Sequence, residues 1–133
     1  MTEATRAFST DPAQLSSVRE FVRAEARDGS FSEAAEDIAL AVTEACANSI
    51  LHTDSPQMTV SIMARRDAIT IEIGDSGVFR PRIGVPELDG EAHRGLQLMI
   101  AMMDEVAIIE GTAARPGTLV RLVKRKTPAA TSR

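Results

Sequence analysis

Within the most apolar stretch of the chain, three polar side chains recur at every fourth position. The run IALAVTEACANSILH (residues 38–52) carries Glu44, Asn48 and His52. On a helix that spacing stacks them along one line. Ile38, Val42, Ala45 and Ser49 form the apolar arc of such a helix, flanked by Ala41 and Cys46. The polar line follows one edge of the arc, with Leu40, Ala47 and Leu51 beyond it. A carboxylate and an amide bracketed in this way either bond to each other, half-buried, or face a cavity. Taken alone, Glu-x-x-x-Asn is more often a plain helix edge. A cavity would allow sharper chemistry. Mg²⁺ takes few protein oxygens and fills its other positions with water and phosphate, which suits one Asn oxygen. A glutamate one turn away could accept a proton from a water or hydroxyl attacking a γ-phosphate. His52 has no Cys or second His beside it, which argues against zinc.

Three weaker signals lie downstream. The alternating run Ile69-Thr-Ile-Glu-Ile73 leads into Gly74-Asp75-Ser76-Gly77. Asp-x-Gly is common in ordinary turns. In a binding site, a carboxylate at a strand end can accept the exocyclic amine of adenine, and Gly77 would let a ring approach the backbone. Arg94-Gly95-Leu96 opens a helix after a loop, where free N–H groups and the helix dipole favour phosphate. Gly117-Thr118 starts a strand and is the least specific of the three.

These residues need a scaffold, and the flanking sequence supplies one. Residues 3–9 alternate weakly, as an edge strand does. Asp11 is placed to cap a helix with Pro12 at its first position, and Leu15, Val18, Phe21 and Val22 continue it at helical spacing to Asp28-Gly29. Ser32, followed by Glu33 and Glu36, has the form of a second N-cap. That helix should run to about Thr53, where Asp54-Ser55-Pro56 stops it. Met58 to Met63 and Ile69 to Ile73 read as a hairpin turning at Arg66-Asp67. Residues 79–92 read as a loop. Leu96, Met99, Ile100 and Met103 predict a third helix, and Val106–Ile109 and Leu119–Val123 two last strands. The order predicts an α/β fold: a two-layer sandwich of a mostly antiparallel sheet with helices on one face.

The whole composition agrees with one small domain. The chain has 133 residues, 44% hydrophobic and 26% charged, enough for a single core. We read 1–125 as that domain and 126–133 as a mobile basic tail. A net charge of −4, no Trp or Tyr and only four Phe argue against nucleic-acid binding. No apolar run approaches the roughly 18 to 20 residues of a membrane span, and no signal-peptide core is visible. With one cysteine, Cys46, the expectation is a reducing, cytoplasmic setting and no membrane.

In order, TEACANSILH, IEIGDSG, HRGLQLMIAMMDEV and GTLVRLVKR resemble the N box and the three glycine boxes of the GHKL ATP-binding superfamily. That superfamily includes gyrase, heat-shock chaperones, histidine kinases and mismatch-repair proteins. ACANSILH, MDEV and GTLVRL are most similar to its bacterial anti-sigma-factor serine kinases, and the resemblance covers residues 10–125. It implies the Bergerat, histidine-kinase-like ATPase fold, with Glu44 as general base and Asn48 as Mg²⁺ ligand. ATP would meet Asp75 at its adenine, with Gly77 beneath and the Thr118 hydroxyl nearby. Arg94, Gly95 and Leu96 would shape the phosphate side, residues 79–92 would form a lid, and His52 would border the same nucleotide. The partners implied are a sigma factor, a small antagonist protein that receives phosphate on serine, and a second copy of the chain in a homodimer. Two positions depart from the pattern. Phe79 replaces the last glycine of the first box, packing the lid instead of flexing it. His93 replaces the first glycine of the second box, donating to phosphate or obstructing it. They favour an alternative in which the same fold serves as an anti-sigma or antagonist-binding module with weak or no kinase activity.

Overall fold

The computed structural model describes residues 1–76, 91–114 and 116–126, without the side chains of His52 and residues 91–94. Gly77, Phe79, most of the expected lid and nearly all of the basic tail therefore lie outside the described residues. In chain order the elements are β1 (Thr2–Ser9), α1 (Leu15–Asp28), α2 (Ala35–His52), β2 (Gln57–Ala64), β3 (Ala68–Asp75), α3 (Glu91–Met102), β4 (Glu105–Ile109) and β5 (Leu119–Arg125). The strands form one antiparallel sheet in the order β1-β2-β3-β5-β4. This is the expected α/β sandwich.

Period-two alternation sets the register. Val60 lies opposite Ile73, Ile62 opposite Ile71 and Ala64 opposite Ile69; Ile71 and Ile73 in turn face Leu122 and Val120. All of these are buried, and a slip of one residue would turn every one of them to solvent. Each fully buried Ile contributes about 1.5–3 kcal/mol relative to exposure. On the other face Thr59, Ser61, Thr70 and Glu72 are exposed or half-exposed. There Glu72 meets Arg121 across the β3–β5 ladder at 3.0 Å.

The helices cover the apolar face. Val18, Val22 and Ala26 of α1 and Ile38, Ala41, Val42, Ala45 and Cys46 of α2 are at most 1% exposed. Ala41 and Cys46 are thus core members and not flanking positions. The α1–α2 connection passes so close to β2 that a Cβ on Gly29 would lie 2.4 Å from the Ala64 Cβ. Glycine is needed there for space; the left-handed residue of the turn is Ser30, at φ 73°.

Two helix starts differ from the sequence reading. Asp11 does cap, its Oδ1 accepting from Ala13 N at 2.9 Å. What it caps is a 3₁₀ turn, Pro12–Gln14, and α1 follows from Leu15. Ser32 is no cap: it lies inside a second 3₁₀ turn, Ser32–Ala34, and α2 begins at Ala35. In both cases a tighter turn feeds the helix, a common way to enter one.

Candidate functional site

Glu44 and Asn48 stand one turn apart on α2 and are half-buried. What half-buries them is α3, which crosses α2 at the buried Gly95. A Cβ placed on Gly95 would lie 3.0 Å from Glu44 Oε1 and 3.6 Å from both amide atoms of Asn48. Backbone here approaches a carboxylate so closely that any side chain at this position would push the end of Glu44 aside by a few tenths of an ångström. The structure thus brings together Glu44, Asn48 and Gly95, residues drawn from two separate motifs. Leu96, the next residue of α3, packs half-buried against the core.

The sequence reading opened the third helix at Arg94, but it begins at Glu91. By the helical pattern, the amide of Gly95 is already paired to the carbonyl of Glu91, and the free amides at its start belong to Glu91, Ala92 and His93. A phosphate seated on this end would therefore meet residues earlier than Gly95 and Leu96. The side chains of His52, His93 and Arg94 lie outside the described residues.

A second cluster forms where β3 ends. Asp75 N donates to Thr118 O at 3.0 Å, and Thr118 N lies 3.4 Å from Asp75 Oδ1, so strand pairing sets the two residues side by side. Gly117 carries the chain past this point at φ 117°, where a Cβ would lie 3.3 Å from Asp75 O. Thr118, 8% exposed, accepts from Gly111 N on Oγ1 at 3.0 Å. No described group accepts the hydrogen of that hydroxyl. The buried Ser55 ties the corner down: its Oγ donates to Gln57 O at 2.6 Å and accepts from Ser76 N at 3.2 Å.

Ser49 joins the two clusters, and sequence reasoning missed it. It was counted among the apolar arc and is indeed buried, yet its Oγ donates to Asp75 Oδ2 at 2.6 Å. A serine in an apolar arc needs a partner; that need was the only signal, and the partner lies 26 residues away. Ser55 and Ser76 likewise meet across 21 residues, which no local spacing shows.

Chemically, Asp75 with Thr118 offers an acceptor beside a donor, the complement of a flat ring bearing an N–H next to a bare ring nitrogen. Glu44 with Asn48 offers a carboxylate and an amide oxygen one turn apart. These are hard donors of the kind Mg²⁺ takes. Among the described residues no group of three or more His, Cys, Asp and Glu could hold a metal. Among the described residues, too, no helix is long and apolar enough to cross a membrane.

Comparison with curated proteins returns no match. Comparison with family models does: residues 8–124 match the model of the histidine kinase-like ATPase domain. The matched span runs from the end of β1 to β5 and contains Glu44, Asn48, Asp75, Gly95 and Thr118. The chain belongs to the histidine kinase-like ATPase domain family.

Proposed function

We propose that this chain is an ATP-dependent anti-sigma factor and protein serine kinase. It binds ATP, phosphorylates a serine on a small antagonist protein, and holds a sigma factor until the antagonist displaces it. The observation that carries the reading is the division of labour across α2. One side of the helix presents Glu44 and Asn48 to α3, and the next residue, Ser49, holds Asp75 at the end of β3. A base and a metal ligand thus sit on the same helix that holds the adenine acceptor of β3 in place, which suits the positioning that nucleotide phosphotransfer requires. Mg²⁺, when bound, neutralises charge on the transferred phosphate. Asn48 would hold it through Oδ1. Glu44 would take the proton of the attacking serine hydroxyl. Asp75 would accept the adenine amine while the Thr118 hydroxyl donates to the adjacent ring nitrogen. The anti-sigma assignment itself is supported by the resemblance of ACANSILH, MDEV and GTLVRL to that branch. β1 and β4 are the sheet's edge strands, and the free edge of β1 is the surface through which we place a homodimer.

A second reading has its own support. Phe79 and His93 stand where glycines are usual, and α3 starts before Gly95. These features favour a partner-binding module of the same fold with slow or no phosphotransfer. One experiment separates the two. The protein is recovered from its native host with MgATP or MgADP present, and the nucleotide is titrated with and without Mg²⁺. The kinase reading expects a sigma factor and a small antagonist to be recovered in a nucleotide-dependent way, with label passing from the γ-phosphate of ATP to antagonist serine. Recovery of both without label transfer would favour the module. Recovery of neither would sink the anti-sigma assignment under both readings.

A further inference from the structure

Ser49 makes a hydrogen bond of 2.6 Å in the candidate site, and it contributes no atom to the Glu44–Asn48 line. One residue on from Asn48, it is rotated about 100° around α2, toward the end of β3. A serine inside a helix commonly gives its hydroxyl to the carbonyl four residues back. Thr43 does so, donating to Ala39 O at 2.7 Å. Ser49 does not: its Oγ reaches across to Asp75 Oδ2 at 2.6 Å, at a position 7% exposed.

We propose that Ser49 is a positioning residue that makes the pocket selective for a 6-amino purine over a 6-oxo purine. The proposal rests on the reading of Asp75 as the acceptor for the base, and it goes beyond that reading by naming what enforces the choice. A hydroxyl has one hydrogen. Once that hydrogen is given to Oδ2, the Ser49 bond engages the Asp75 carboxyl as an acceptor. With Thr118 N near Oδ1 and the Asp75 backbone paired to Thr118 O, the plane of the carboxylate is set from α2 and from β5 together. A fixed acceptor rewards an exocyclic NH₂. It opposes a carbonyl oxygen, because two acceptors then face each other with no hydrogen between them. Without the Ser49 hydroxyl the carboxylate can turn about its broad terminal torsion. The space left can also admit a water, which would donate to a 6-oxo group and relieve the clash. Selectivity should fall by a larger factor than folding stability would explain.

The test uses the full chain and two triphosphates, ATP and inosine triphosphate, titrated with Mg²⁺ against wild type, Ser49→Ala, Ser49→Cys and Ser49→Thr. The wild type should prefer ATP by about 100-fold or more. Ser49→Ala should bind ATP about tenfold more weakly and inosine triphosphate nearly unchanged, so that the ratio drops about tenfold. Ser49→Thr, which keeps the hydroxyl, should restore the ratio. If Ser49→Ala does not fold, Ser49→Cys carries the test, because it keeps the volume and is a far weaker donor. An unchanged ratio in the variants, or equal loss for both nucleotides, overturns the proposal and leaves the ATP reading intact. A wild type that binds neither nucleotide, or both equally, overturns the two together.

Discussion

Asp75 is held by a helix, a strand and a turn. Ser49 donates to one carboxylate oxygen, Thr118 N approaches the other, and Ser76 is tied to Ser55. Asp75→Asn replaces one acceptor oxygen by an NH₂. Ser49 and the base then compete for the acceptor that remains. ATP affinity should fall about tenfold to a hundredfold, on the order of 1–3 kcal/mol, as measured by calorimetric titration. Equal wild-type affinity for ATP and GTP would contradict the assignment, since guanine offers oxygen where adenine offers N–H. Glu44 and Asn48 lie one turn apart and should fail differently. Glu44→Gln keeps the shape and removes the proton acceptor, so nucleotide should still bind while phosphotransfer drops by about 100-fold or more. Asn48→Ala should instead abolish the Mg²⁺ dependence of binding. On the proposed kinase reading, a Glu44→Gln variant with the wild-type rate of phosphotransfer would show that another group is the base.

At the scale of elements, the α2–α3 crossing decides how closely the site is built. Gly95 is inside a helix, where glycine costs about 1 kcal/mol relative to alanine. On helix propensity alone, Gly95→Ala should stabilise the protein. Its Cβ would, however, stand 3.0 Å from Glu44 Oε1, so the carboxylate must move aside by a few tenths of an ångström. Small displacements of reacting groups are costly to rate. We therefore expect Gly95→Ala to leave the melting temperature unchanged or raised while phosphotransfer falls about tenfold or more. A fall in melting temperature with normal turnover per folded molecule would mean that the crossing is a packing contact only.

Over the whole molecule, the core passes directly beneath the site. Cys46 lies between Glu44 and Asn48 in sequence but points the opposite way, fully buried. Burial pushes its thiol from 9.0 up to about 12, because an apolar surround disfavours the thiolate. The thiolate is the reactive form, so alkylation of native protein at pH 8 should be very slow and should become fast in denaturing urea. The sign of the pH effect follows from the same shift. Above pH 9 the unfolded chain releases this proton while the folded one keeps it, so stability should decline as pH rises from 9 toward 12. Rapid labelling of the folded protein at pH 8 would show that α2 opens readily from the sheet.

The elements themselves were legible in the sequence. Period-two alternation of Ile69, Ile71 and Ile73 and the helical spacing of Ile38, Val42 and Ala45 are local signals, and both recur in the folded chain. The Glu44–Asn48 line was equally legible, because one helix fixes the spacing of its own side chains. Helix starts were less so: Asp11 and Ser32 have the chemistry of caps, and only the path of the chain decided that 3₁₀ turns would come first. What the sequence could not determine was which residues meet across elements. Gly95 against Glu44, Ser49 against Asp75 and Gly29 against Ala64 are contacts between segments brought together by packing. No local period encodes them. Composition and spacing determined a sheet, three helices and a polar line. The antiparallel pairing of β3 with β5, and the crossing of α2 by α3, decided which residues this line and its neighbour Ser49 meet.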